Sequence, residues 1–222
     1  MAIRLSHAAN SYLKSGSAPA RVNNWAISVW FKADDVTTIH RLAKITFSDT
    51  DSNLLITARG DSAGDPVNFL SQRDGTSYYV SSASYSANTW HHVLMCTNDS
   101  NHTLRISLDG QAWVKKTSCK LPDGAPGAIV VGDDSGYGYS IEGCVAELAI
   151  WDVVSPWTVF DPLTGAGYQL AKGFSPMVVH STRPKGYWRL LGEGAYQDII
   201  GGRTLTPYNS PVGASDHPPI IG

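Results

Sequence analysis

The chain has 222 residues, 42% of them apolar, with seven Trp and ten Tyr. That is enough bulk for one large core, and β-sandwiches commonly reach this length as a single unit, so one domain over residues 1–222 is expected. Lys and Arg number 17 against 19 Asp and Glu, a formal net charge of −2 with no long run of either sign. Without a basic face for phosphate, nucleic acid is excluded as a partner, and the nearest basic group, Lys115, Lys116 and Lys120, reads as a solvated strand face.

The opening, MAIRLSHAANSYLKSG, lacks the basic start, apolar run and small-residue cleavage site of a secretory signal. No apolar stretch approaches the roughly 18 residues that span a bilayer, so membrane insertion is not expected. A protein made and folded in a host cytoplasm is therefore expected. The three cysteines, Cys96, Cys119 and Cys144, are widely spaced and odd in number, and they read as buried free thiols rather than a disulfide framework or a metal knuckle. Two glycosylation sequons, at Asn98 and Asn101, have no export signal to serve them.

From the start to Trp151, short strands separated by Gly, Asp, Asn and Ser clusters recur about every ten residues, the pattern of a sandwich or barrel. In Ala26 to Phe31, alternation sends Ile27, Val29 and Phe31 to one face and Ser28 and Trp30 to the other. Further strands are predicted at Arg41 to Phe47, Asn53 to Ala58, Val67 to Gln72, Ser77 to Ser82 and Trp90 to Thr97. Thr103 to Leu108 follows, with Leu104, Ile106 and Leu108 inward and Thr103, Arg105 and Ser107 outward, as when only one sheet face is covered. Asp109-Gly110 supplies the positive φ angles of a tight hairpin turn, returning through Ala112 and Val114. Strands at Ala128 to Gly132 and Cys144 to Trp151 complete the series, and the inward set Val145, Leu148 and Ile150 of the last one requires a β-bulge near Ala146 or Glu147.

After Trp151 the texture changes. Ser155-Pro156 opens a helical turn, and Thr164 to Lys172 reads as one short helix closed by Gly173, so that 152–173 forms an inserted loop and helix at the edge of the sandwich. Strands follow at Gly186 to Leu191 and Arg203 to Thr206. The Pro-rich tail, 208–222, is expected to run extended, because Pro218 and Pro219 lack amide donors for a sheet interior.

In this order, IRLSHAANSYLKSG, WAISVWFKADD, NTWHHVLMC, an LDG turn, IVVGDDSG and EGCVAELAIWD resemble the laminin-G-like branch of the concanavalin A-like jelly rolls. The segments LAKGFSPMVV, GYWRLLGEG and DHPPI are similar to tails of its bacteriophage structural members. The resemblance implies an all-β fold of two antiparallel sheets packed face to face, a short helix after the last long strand, and an acidic residue at Glu147 without catalysis. The stretch VVSPWTVFDPLTGAGYQ is longer than the family's usual short helix there.

Four constellations are candidates for chemistry. Glu142, Glu147 and Asp152 are the nearest approach to a glycosidase pair, but residues five apart on a regular strand face opposite sides, and Glu147 is read as structural, satisfying backbone or Trp donors. Adjacent His91 and His92 point to opposite faces and cannot share a metal; His91 is expected against an aromatic ring and His92 solvated or paired. No nucleophile-elbow, zinc or phosphate-loop spacing occurs, so a non-enzymatic protein is expected. Calcium is the one cofactor the acidic loops admit, at Asp49 with Asp51 and at Asp133 with Asp134. Finally, Tyr78, Tyr79, Tyr137 and Tyr139 sit at strand ends and loops, where amphipathic rings suit sugar stacking or protein contact.

The expected function is a virion structural protein, a capsid decoration, head-fibre or tail component, docking on other virion proteins as a homo-oligomer and contacting cell-surface glycan. A calcium-dependent lectin module is the alternative, and a glycoside hydrolase fails on carboxylate geometry.

Overall fold

The computed structural model describes residues 2–20, 24–49, 51–191 and 196–221. Part of the GYWRLLGEG segment, residues 192–194, and the last residue of the tail lie outside the described residues. In chain order the strands are β1 (Ala2–Leu5), β2 (Tyr12–Ser15), β3 (Asn24–Ala33), β4 (Ile39–Phe47), β5 (Asn53–Arg59), β6 (Pro66–Arg73), β7 (Thr76–Ser84) and β8 (His91–Asn98). They continue with β9 (Thr103–Leu108), β10 (Val114–Lys116), β11 (Pro126–Val131) and β12 (Gly143–Val153), then two helices, α1 (Pro156–Val159) and α2 (Ala166–Ala171). The chain finishes through β13 (Gly186–Trp188), β14 (Tyr196–Gln197), β15 (Thr204–Tyr208) and β16 (Val212–Ala214).

These strands make two eight-stranded antiparallel sheets in a jelly-roll sandwich. The first runs β10-β9-β8-β3-β12-β1-β16, with β13 joining β12, and the second runs β14-β15-β2-β11-β4-β5-β6-β7. Alternation explains the core between them: Ile27, Val29 and Phe31 of β3, Leu104, Ile106 and Leu108 of β9, and Val145, Leu148 and Ile150 of β12 all lie in one buried cluster with Leu54, Ile56 and Phe69 of the second sheet. The Asp109-Gly110 turn has the predicted positive φ at both residues, 52° and 74°.

The expected bulge is present. Between Ala146 and Ala149 the register of β12 against β3 slips by one residue, and Glu147 adopts φ 54°. It marks an exchange of neighbours: β12 pairs with β1 through Gly143 to Val145 and with β13 through Leu148 to Ile150.

Two expectations need correction. Where one short helix was expected, two are formed, because Pro156 opens a separate turn before Gly165 starts α2. The first sheet is covered on both faces, not one. Thr103 and Ser107, read as outward and solvated, are 1% and 2% exposed. Over that outer face lie α1, α2 and the segment after them, forming a second apolar cluster in which Trp151 of β12 meets Phe160 with ring centroids 4.7 Å apart. Trp113, Val159 and Met177 pack at its margin. A third cluster gathers Ala2, Trp30, Cys144 and Ala146 under Trp90, Ala214 and Ile220. In the tail, Val212–Ala214 pairs with β1, Asp216 binds Lys32 and the Trp90 indole, and Ile221 bridges to Phe174. All three cysteines are free and buried.

Candidate functional site

The second sheet keeps its outer face open, and β4 to β7 form a meander on which that face can be read row by row. The pairings align Arg41, Thr57, Asn68 and Ser81 in one row, Lys44, Leu55, Leu70 and Tyr79 in the next, and Thr46, Asn53, Gln72 and Ser77 in a third. Their neighbours in sequence, Ile45, Leu54, Ile56, Phe69 and Val80, point into the core, so these twelve side chains face outward. An apolar strip ending in an aromatic ring, flanked by polar rows in which Thr57 and Asn68 are buried and the other side chains at least partly exposed, offers a sugar both a stacking surface and hydrogen-bond partners. The Asn53 amide donates to Gln72 at 2.8 Å, which links β5 to β6 within the third row.

At the β4 end the loop after β11 closes the face. Tyr137 and Tyr139 stack with centroids 6.0 Å apart and planes inclined at 29°. The guanidinium of Arg41 lies 5.1 Å from the Tyr139 ring centre. Its Nη1 donates to Asp133 at 2.6 Å and to the Ser135 hydroxyl at 3.0 Å. Tyr137 is 74% exposed. At the other end stands Tyr79, 58% exposed, three strand spacings or about 14 Å across the sheet. Tyr137, Tyr139 and Tyr79 thus border one face, while Tyr78 is turned the other way and packs on the core.

The acidic candidates divide. Asp133 is buried, and although burial alone raises a carboxyl pKa, the Ser135 hydroxyl and amide, Arg41 and the Tyr139 amide together hold it below the ordinary value. Asp134 is likewise held low, its burial outweighed by Lys44 and by Lys14 at 2.9 Å. Both carboxylates are therefore engaged with this chain's own cations. Asp49 has its oxygens buried beside Gly124, without a hydrogen-bond partner among the described residues, whereas Asp51 is exposed. Among the described residues no three His, Cys, Asp or Glu side chains converge as a metal site.

Glu142 and Glu147 are held by different partners. Glu142 accepts from the His7 amide at 2.8 Å and the Ser6 hydroxyl at 3.1 Å. Glu147, 2% exposed, accepts from the Tyr187 hydroxyl and lies 3.8 Å from Arg189 Nε. Burial raises its pKa despite these contacts. A phenol and an arginine thus fill the part the sequence assigned to backbone or Trp donors. His91 packs on Phe31 and Tyr85 and pairs with Asp109 at 2.7 Å. His92 is buried against Trp30, bonded to Ser28 at 2.9 Å, and burial lowers its pKa to about 4.

The outward rows were the part that sequence reasoning missed. Their signal was the same alternation that gave the core: in four successive strands the residues between the inward apolar ones are Asn, Gln, Thr, Ser, Leu, Arg, Lys and Tyr.

With this geometry in place, the family is defined by comparison. Residues 7–157 match the model of the concanavalin A-like lectin/glucanases superfamily in its laminin G form, and the chain belongs to that family. No curated protein sequence matches it. Among solved structures, a putative carbohydrate binding protein from Bacteroides ovatus superimposes with TM-score 0.66 at 15% identity, over 99% of this chain and 61% of that one. A heptameric SAP-like pentraxin from Limulus polyphemus gives TM-score 0.57 at 12% identity, over 88% and 89% of the two chains. The tailspike protein 2 of Escherichia coli O157:H7 bacteriophage CAB120 gives 0.56 at 14%, over 85% of this chain and 26% of that one. At these identities the likeness is one of fold.

Proposed function

We propose that the chain is a non-enzymatic, glycan-contacting structural protein of a bacteriophage virion, a capsid decoration, head-fibre or tail component that presents the outer face of its second sheet to cell-surface carbohydrate. The observation that carries the reading is the contrast between the two outer faces. One is sealed by helices and tail; the other is left open with an apolar strip between polar rows and Tyr137, Tyr139 and Tyr79 at its borders. The separate partners of Glu142 and Glu147 support a binding role over hydrolysis. The carbohydrate-binding description of the Bacteroides relative supports the ligand class, and the order of sequence segments together with the tailspike likeness supports the virion setting.

A glycan array probed with the full chain, with calcium and with chelator, tests the ligand. Binding that Leu70→Ala weakens at least several-fold is expected. Loss of all binding under both conditions overturns the carbohydrate reading, and release of reducing ends from a bound polysaccharide overturns the non-enzymatic one. Peptides of this chain in gradient-purified particles are expected from the virion reading; glycan binding by a chain absent from particles leaves the lectin reading alone.

A further inference from the structure

An open sheet ends in edge strands whose outward N–H and C=O groups are a template for another strand, unless shortness, charge, proline or a bulge blunts them. Among the described residues, three of the four strands that end the two sheet orders are blunted, and β13, which joins β12 off that order, has only three residues. β10 has three residues, two of them Lys; β16 has three and follows Pro211; β14 has two. The fourth, β7, runs for nine residues as TSYYVSSAS, with no charge and no proline. Its one irregularity lies between Ser81 and Ser84, at the far end. Among the described residues no strand pairs with its outer side. Tyr79, in the middle of this edge, is 58% exposed.

We infer that β7 pairs with β7 of a second copy of this chain, antiparallel about a two-fold axis at Tyr79, so that the two second sheets become one continuous sheet. An isologous contact requires a strand that suits its own reverse, and β7 does. With the axis at Tyr79, that ring meets its own counterpart, Tyr78 meets Val80, Ser77 meets Ser81 and Thr76 meets Ser82. These are aromatic, aromatic with β-branched, and hydroxyl pairs, each of a type that stabilises cross-strand contact, and no like charges are opposed. Moving the axis one residue to Val80 sets Tyr79 against Ser81 and loses the aromatic pair. The pairing stands whether or not the outer face binds glycan. If it does, the two faces adjoin across the seam and act as one bivalent surface.

Sedimentation velocity on the full chain tests this, with hydrogen exchange of the β7 amides read on the same sample. The expected result is a species of twice the chain mass, with the β7 amides that point away from β6 protected from exchange. The double variant Ser77→Lys with Ser81→Lys opposes like charges at both ends of the seam and is expected to run as a monomer. Ser77→Lys with Ser81→Glu opposes unlike charges and is expected to restore the dimer. A monomeric parent chain, a dimer whose β7 amides exchange freely, or a dimer that the lysine pair leaves intact overturns the proposal. The exchange measurement on the parent chain decides the matter even where a variant fails to fold.

Discussion

The two sheets of this sandwich share a core and differ in what lies behind it. β12 in the first sheet buries all eleven of its residues, whereas β4 in the second alternates buried and partly exposed positions along its length. The reason is compositional. The outward set of β12 is Cys144, Ala146, Ala149, Trp151 and Val153, an apolar surface that must be covered, and the helices and tail cover it. The outward sets of β4 to β7 mix amides, hydroxyls and cations with two leucines and one tyrosine, which water tolerates. The same alternation thus builds a three-layer side and a more open side.

That contrast can be broken first at its most heavily packed point. Trp151→Ala removes a fully buried indole from the outer layer, and a loss of about 3–5 kcal/mol in urea unfolding is expected. A loss below roughly 1 kcal/mol, the scale of an ordinary surface change, shows instead that the layer is a loose appendage.

The second effect is on pH. Burial holds His92 at about 4, below the ordinary value it has in the unfolded chain. Between the two values only the unfolded chain takes up the proton, so this contribution is fully present above about pH 6.5 and is lost as pH falls towards 4. Its size is about 3 kcal/mol. Unfolding midpoints measured across that interval are expected to fall with acid in the parent chain and to flatten in His92→Gln; parallel curves remove His92 as the cause. Glu147 acts with the opposite sign, since its raised pKa favours the folded state at lower pH. Exchange for Gln is expected to remove that smaller, opposing slope.

The smallest effect on stability belongs to the open side. Leu70→Ala, on a partly exposed site, is expected to cost at most about 1 kcal/mol while weakening glycan retention. A cost comparable to that of Trp151→Ala shows that the open face is itself covered in solution.

Local alternation made much of this fold readable from the chain. The inward sets of β3, β9 and β12, the Asp109-Gly110 turn and the bulge at Glu147 all follow from spacing within single strands. The covering of the first sheet was legible too, in the apolar character of both sets of β12, yet attending only to Val145, Leu148 and Ile150 leaves Trp151 without an explanation. What spacing does not carry is the meeting of distant segments. Arg41 reaches Ser135 from 94 positions away, and that reach seats Tyr139 at the border of the face and occupies Asp133. Asp134 is met in the same manner by Lys14, from 120 positions away, and by Lys44, partners no local pattern names. Tyr78 and Tyr79, by contrast, were separable in principle, since neighbours on a strand must face opposite ways.

β1 lies between β12 and β16. Ile3 pairs with Val145 on one side and Gly213 on the other, so the first sheet joins the beginning of the chain to its middle and its end. The β4 to β7 meander needs only short-range closures and can assemble early, whereas the first sheet pays the larger loop-closure entropy. The apolar surface around Trp151 is covered by Phe160, Leu170, Val179 and Tyr187, all of which follow it in the chain, so during synthesis that surface needs protection until this stretch has been made.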